Sequence, residues 1–187
     1  MKLHKLLLGG VISMAALSAS AQNAGELRFG VTGGMNVTNI TKLDGDCKIG
    51  FNLGFRGEYS FSKNFYANAG LLWSMKGSKW SYEEFEESVN PSYIEIPIAV
   101  GGRYFIDKGL SIFAETGPYF AVGVCGKHDY FSSDDGAKRF DAGWGLRTGV
   151  EVNKFQVHLG YEHGFVGIYD GLSCKNWNFN IGVSYMF

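Results

Sequence analysis

Along residues 176–187 every second position is large and apolar: Trp177, Phe179, Ile181, Val183, Tyr185 and Phe187. Asn176, Asn178, Asn180, Gly182 and Ser184 stand between them, and Met186 is the one apolar intruder. A period of two sustained over this length predicts a β-strand with two unlike faces. Other segments repeat the pattern. Ile94, Ile96, Ile98, Val100, Gly102 and Tyr104 oppose Glu95, Pro97, Ala99, Gly101 and Arg103. Phe51, Leu53, Phe55, Tyr59 and Phe61 oppose Asn52, Gly54, Arg56, Glu58 and Ser60. Trp144, Leu146, Val150 and Val152 oppose Gly143, Gly145, Arg147, Gly149 and Glu151. Phe155, Val157, Leu159 and Tyr161 oppose Gln156, His158, Gly160 and Glu162. Leu27, Phe29, Val31 and Met35 oppose Arg28, Gly30, Thr32, Gly34 and Asn36. Stretches 65–75 and 110–124 fit less cleanly, the second being broken by Gly117-Pro118. Eight strands are predicted, over roughly 25–37, 50–61, 64–77, 92–106, 109–124, 140–153, 154–167 and 176–187.

The connections alternate in length. Tight turns fall at Ser62-Lys63, Asp107-Lys108-Gly109 and Asn153-Lys154. Longer stretches fill positions 38–49, 78–91, 125–139 and 168–175. Short periplasmic turns alternating with long external loops mark a transmembrane β-barrel, here all-β, antiparallel and up-and-down. Strands cross lipid only when every backbone group is paired, so the first and last strands must pair and close the barrel.

Alternation is blind to direction, since a soluble lipocalin-like barrel would turn its apolar face inward. Three features turn it outward. The charged face is also the glycine-rich face, as the interior of an eight-stranded barrel requires, because it is just wide enough for side chains to fill. Trp73, Trp144 and Trp177 fall at the long-loop ends of their strands, and Tyr59, Phe61, Phe65 and Tyr104 at the short-turn ends. Those are two aromatic girdles, one at each membrane interface. The chain also ends on Phe187 at the foot of its closing strand. Tyr185 and Phe187 are therefore expected to act as the carboxy-terminal signal read by barrel-assembly machinery, with outer-membrane lipid as the other partner.

The front of the chain agrees with this compartment. Lys2 and Lys5 precede an apolar run over 6–17, and Ser18-Ala19-Ser20-Ala21 places small residues before Gln22. That is the pattern of a secretory signal peptide, 1–21, cut after Ala21. The run falls short of the ~20 residues a helical span needs, and no cysteine at the cut offers a lipid anchor. Residues 22–187 are then one barrel domain. With 27 glycines, 3 prolines and a net charge of −1, the composition suits a barrel and presents no field for nucleic acid.

With the apolar face outward, the lumen collects Arg28, Arg56, Arg103 and Arg147 with Glu58, Glu95, Glu115, Glu151 and Glu162, plus His158. Charges out of water must be paired. An interleaved Arg/Glu network is expected to fill and plug the narrow lumen; a gated ion path is the alternative.

Catalytic and cofactor chemistry finds little support. His158, Glu162 and His163 do not have zincin spacing, and on a strand His163 faces away from the other two. Gly143-x-Gly145 and Gly101-Gly102 lie within strands, without the helix N-terminus that cradles phosphate. Asp44-Gly45-Asp46 and Asp134-Asp135-Gly136 lack the rest of a calcium loop. Glu83, Glu84, Glu86 and Glu87 read as a solvated loop face. No cofactor, metal or Ser/His/Asp set is expected. Cys47, Cys125 and Cys174 sit in or below different long loops, and an odd count leaves at least one thiol free. The expected function is that of a non-enzymatic barrel acting through surface loops, envelope integrity or secretion. A narrow porin-like channel and a lipid-active enzyme are the alternatives.

Several pieces carry a family resemblance: Tyr93-Ile94-Glu95-Ile96-Pro97-Ile98, Gly117-Pro118-Tyr119-Phe120, Asp141-Ala142-Gly143-Trp144-Gly145 and the Tyr185-Met186-Phe187 end. Over about residues 25–187 the chain resembles the small outer-membrane β-barrel proteins of Bacteroidetes, which include PorT-like proteins. The resemblance implies an eight-stranded barrel in the outer membrane of a Gram-negative cell and no shared catalytic residues. One member of that family serves secretion of proteins to the cell surface.

The assignment of faces is directly testable. Ile96→Arg puts a charge on the lipid side near mid-strand and is expected to cost about 2–4 kcal/mol, read as a loss of refolded protein in lipid. Asn180→Arg, on the lumen side, acts by crowding instead. Equal refolding of Ile96→Arg and wild type would reverse the faces.

Overall fold

A computed structural model describes residues 24–41, 46–82, 85–89, 91–126, 138–168 and 174–187. Ten strands follow in chain order: β1 (Glu26–Ile40), β2 (Asp46–Ser60), β3 (Phe65–Met75), β4 (Ser78–Tyr82), β5 (Phe85–Val89), β6 (Ser92–Asp107), β7 (Leu110–Cys125), β8 (Phe140–Val152), β9 (Phe155–Gly164) and β10 (Asn176–Met186). Eight of them form a closed antiparallel barrel in the order β1-β10-β9-β8-β7-β6-β3-β2, with β2 returning to β1. The seam between β1 and β10 runs from Gly30↔Met186 to Ile40↔Asn176. The opposite edge of β1 is held from Glu26↔Ser60 to Thr38↔Lys48. Both edges of the first strand are thus used, which is the condition for crossing hydrocarbon without unpaired peptide groups.

The side chains are arranged inside out relative to a soluble domain. Phe55, Ile98, Leu146, Val157 and Ile181 are exposed on the outer wall, while Asn36, Glu58, Glu95 and Gln156 are buried in the lumen. The period of two sends one set each way along every wall strand.

Four differences from the sequence expectation have physical reasons. Strands β1 and β2 reach Ile40 and Asp46, beyond the expected 37 and 50. There the ladder rises clear of the lipid, where the outer face need not be apolar, so the hydrophobic period stops before the hydrogen bonding does. Stretch 78–91, expected as a loop, contains the β4–β5 hairpin, paired from Ser78↔Val89 to Tyr82↔Phe85 and joined to β2 through Asp46↔Lys79 and Cys47↔Ser78. Its glutamates gave it the composition of a solvated loop. Strand β7 passes unbroken through Gly117-Pro118, with Pro118 opposite Trp144. Phe113 and Tyr119 face the lumen here and are buried, so apolar size no longer marks the outer face. Strand β9 ends at Gly164, short of the expected 167. The expected leader, and Asp44, Gly45, Glu83, Glu84 and Asp134-Asp135-Gly136 of the loops, lie outside the described residues.

The seam brings two backbones close together. A methyl group on Gly34 would meet the main chain of Ile181 and Gly182. One on neighbouring Gly33 meets nothing nearer than Leu53 Cδ1 at 3.4 Å. Gly34→Ala is therefore expected to destabilise the barrel by about 1–3 kcal/mol, as overpacking does, and Gly33→Ala to leave it unchanged. The temperature at which the compact band is lost on unboiled gels reads this, and equal midpoints would show that the seam yields.

Candidate functional site: the charged lumen

The inward faces build two charged layers, one near the short-turn end and one near the long-loop end. The short-turn layer is centred on Glu58 of β2, which is 0% exposed. Arg28 Nη2 of β1 reaches Glu58 Oε2 at 2.5 Å, Arg103 Nη2 of β6 reaches it at 2.9 Å, and Arg56 Nη2 meets Oε1 at 3.1 Å. Glu151 of β8 stands across the lumen. It takes Arg28 Nη1 at 3.0 Å and Arg103 Nη2 at 2.9 Å. Gln156 of β9 donates to Glu151 at 2.7 Å and to Glu58 at 3.0 Å. A second carboxylate, Glu115 of β7, is paired with Arg56 at 3.0 Å and with Arg147 Nε. It also accepts from the Tyr66 hydroxyl at 3.0 Å and from Asn68 Nδ2 at 2.7 Å. Arg103 lies 4.6 Å over the Tyr66 ring. Each carboxylate thus accepts from several donors, which is what keeps buried ions from costing several kcal/mol apiece.

Among the described residues, the ion pairs of the long-loop layer are made by one cation. Lys76 Nζ lies 2.5 Å from Glu95 and 3.3 Å from Glu162. Asn178 donates to Glu162 at 2.9 Å. Asp141 accepts from Asn176 at 2.9 Å and from the Tyr119 hydroxyl at 3.3 Å. Asn36 donates to Ser74 Oγ and to the Met75 carbonyl, each at 3.1 Å. Between the layers lies a cavity of about 80 Å³ bordered by Thr32, Arg56, Asn68, Glu95, His158 and Asn180, room for several waters.

Arg28, Arg56, Glu58, Arg103, Glu115, Arg147 and Glu151 therefore converge in one layer, and Glu95 and Glu162 in the other. His158 is a correction. It faces the lumen and is 3% exposed, but its Nδ1 finds no hydrogen-bond partner among the described residues. His163 lies on the other face of β9 and stacks on Tyr161 at 6.5 Å. Among the residues of the layers that escaped the sequence reading are Tyr66 and Asn68, and with them Lys76, Asp141 and Tyr119. Lys76 lies just past β3, in phase with buried Tyr66, Asn68 and Ser74. Counting on by two would have found it, but Leu72 on the same face blurs the pattern. Asp141 is in phase with Arg147 and Glu151, and was read only as part of a motif. Tyr119 was lost at the Gly117-Pro118 interruption.

On the outer wall, Tyr59, Phe61, Phe65 and Tyr104 are exposed at the short-turn end and Trp73 and Trp144 toward the other. Trp177 is half-buried, paired with His163 and Asn39. The Trp144 indole donates to Thr116 Oγ1 at 2.7 Å. Tyr185 packs edge-on against Phe155 at 5.0 Å and Phe187 at 5.5 Å. The Phe187 amide donates to Phe29 O at 2.7 Å. Cys47 and Cys125 are exposed, Cys174 is buried, and all three are free thiols.

A closed barrel that is apolar outside and ion-paired inside is a transmembrane β-barrel. The sequence matches the outer membrane protein beta-barrel domain family over residues 9–187, and the chain belongs to that family. It is an outer-membrane protein of the Gram-negative type, with its short turns periplasmic and its long loops extracellular. No curated protein matches the sequence. Among solved structures, it is similar to Neisserial surface protein A, NspA, with 12% identity, a TM-score of 0.53, and coverage of 89% of this chain and 100% of that one. It is similar to the outer membrane enzyme PagL, with 10% identity, a TM-score of 0.52, and coverage of 83% and 98%. It also resembles Ail, the attachment invasion locus protein of Yersinia pestis, with 14% identity, a TM-score of 0.48, and coverage of 88% and 99%. At these identities the likeness is one of fold.

The layers make a stability prediction. Arg103→Ala strips both Glu58 and Glu151 of a partner and is expected to cost about 3–5 kcal/mol, less to the extent that water enters. Lys63→Ala, exposed in a periplasmic turn, is expected to change stability by under ~0.5 kcal/mol. Urea unfolding of the refolded proteins compares them, and equal midpoints would mean that the lumen charges are individually solvated.

Proposed function

We propose that this protein is a non-conducting, non-enzymatic outer-membrane barrel whose lumen is sealed by its ion pairs and whose work is done at the extracellular edge. The observation that carries the reading is the bridge made by Arg28 and Arg103, which tie Glu58 on one wall to Glu151 on the other. Such a bridge leaves an ion no path that does not break paired charges. The lumen histidine supports the non-enzymatic reading, because His158 is sealed from the membrane. His163 on the outer face has the Tyr161 hydroxyl 3.4 Å from its Nδ1, which supplies no nucleophile–base–carboxylate set. What remains for a partner is the long-loop rim with the β4–β5 hairpin. Its role there is surface interaction, envelope integrity or assistance to secretion, the last in line with the resemblance to PorT-like proteins of Bacteroidetes. Tyr185 and Phe187 are the residues that barrel-assembly machinery would read.

A narrow channel is the second reading, favoured by the 80 Å³ cavity between the layers. Planar-bilayer recording separates the two. Refolded wild type is expected to show no conductance steps, and the Arg28→Ala/Arg103→Ala double variant to show them. Steady conductance by wild type would overturn the plug and favour the channel. Release of fatty acid from phospholipid or lipopolysaccharide by the wild-type barrel would overturn the non-enzymatic reading. A deletion strain scored for permeability and for display of surface proteins would separate envelope integrity from secretion.

A further inference from the structure

The layer at the short-turn, periplasmic end of the lumen carries a charge that it does not balance. Among the described residues, four arginines, Arg28, Arg56, Arg103 and Arg147, meet three carboxylates, Glu58, Glu115 and Glu151. The surplus has a place. Arg28 and Arg103 share Glu58 and Glu151 between them. Arg56 and Arg147 meet at Glu115. The other carboxylate that Arg56 touches, Glu58, already holds Arg28 and Arg103. Two guanidinium groups thus stand on one carboxylate.

Both arginines border the 80 Å³ cavity between the layers. Arg56 is 5% exposed, yet its Nε and Nη1 have no hydrogen-bond partner among the described residues. The same holds for Arg147 Nη2 and for Nδ1 of His158, which borders the cavity too. Guanidinium nitrogens can only donate. Buried donors left this way call for an acceptor at this end of the cavity. At the other end, Glu95 and Glu162 are held by Lys76, so the carboxylates there have their cation. Water accepts N–H bonds and fits a polar cavity of this size. It does not supply a negative charge, and an unbalanced charge out of water costs several kcal/mol. A small anion meets both needs.

We propose that Arg56, Arg147 and His158 form a binding site for one monovalent inorganic anion of halide size, which brings the fourth negative charge to the layer. The ligand class follows from the site. The surplus of one arginine matches a single charge. The cavity has room for an ion close to water in size and excludes larger organic anions. His158 serves in the tautomer that carries its hydrogen on Nδ1 and donates it to the anion. The ion is enclosed as the barrel closes, so the site needs no path through the lumen and stands whether or not the barrel conducts.

Chloride set against gluconate tests this, because gluconate carries the same charge and is too large for the cavity. The full-length mature protein is refolded in detergent in the sodium salt of each at equal ionic strength, and thermal unfolding is followed by circular dichroism. Chloride is expected to raise the wild-type midpoint by about 3 °C or more over gluconate. R147Q leaves three cations facing three carboxylates, and is expected to refold and to melt equally in the two salts. K63Q removes an exposed charge from a periplasmic turn and is expected to keep the wild-type response. Equal wild-type midpoints overturn the proposal, as does a chloride response that survives in R147Q or is lost in K63Q. If R147Q refolds in neither salt, crystals of wild type refolded and grown in sodium bromide decide. Anomalous scattering is expected to place one bromide against the guanidinium groups of Arg56 and Arg147, and a map without bromide there overturns the proposal.

Discussion

Hydrocarbon cannot hydrogen-bond a peptide group, and an unmet group there costs several kcal/mol. The seam between β1 and β10 answers that constraint, because it lets the first strand pair on both edges. Much else is a consequence. Closure with eight strands fixes a narrow interior, and alternation then forces half of each strand into it. Since the outer half must be apolar to meet lipid, polar and small residues fall inside. The lumen is polar because the outside is not, before any selection for what the lumen might do.

A narrow polar interior brings its own difficulty. Charges that share a confined space repel or attract strongly, and each must find partners within it. The periplasmic layer solves this with arginine, whose planar fork serves two carboxylates at once. Arg28 does so between Glu58 and Glu151. The extracellular layer uses a lysine, a compact point charge on a flexible stem, and supports it with aromatic faces. The two ends of the lumen are thus built from different chemistry, a guanidinium cross-brace at one and an ammonium among carboxylates and rings at the other.

The sequence disclosed the barrel because lipid imposes a strict code. Ile94 to Tyr104 and Trp177 to Phe187 read cleanly since each outward position must be apolar. It disclosed less wherever the code lapses. Above the membrane, β4 and β5 need no apolar face, and their glutamates read as loop. Inside, a tyrosine is as acceptable as an asparagine, so Tyr66, Phe113 and Tyr119 broke the apparent alternation and hid the phase of β3 and β7. The arginines and glutamates of the lumen were visible as residue types, but their grouping into two layers was not. That depends on the stagger between strands, which sets Glu95 of β6 against Lys76 and Arg103 of the same strand against Glu58 of β2. His158 shows the same limit from the other side: facing inward was legible, the lack of a hydrogen-bond partner for its Nδ1 among the described residues was not.

The reach of Arg28 has a kinetic meaning. It lies on the first wall strand, yet one of its two carboxylates, Glu151, is 123 residues away on β8. Contacts of such sequence separation form late, after the chain between them is in place. Until β8 comes round, Arg28 and Arg103 have Glu58 but not Glu151, and they stand on an open sheet with no lumen to shelter them. An open intermediate inserted in lipid is therefore disfavoured twice, once by its bare edges and once by its exposed ions. Both penalties vanish in the same event, the meeting of β1 and β10. Insertion of this barrel is accordingly expected to be all-or-none, with the sheet kept out of the bilayer core until it can close.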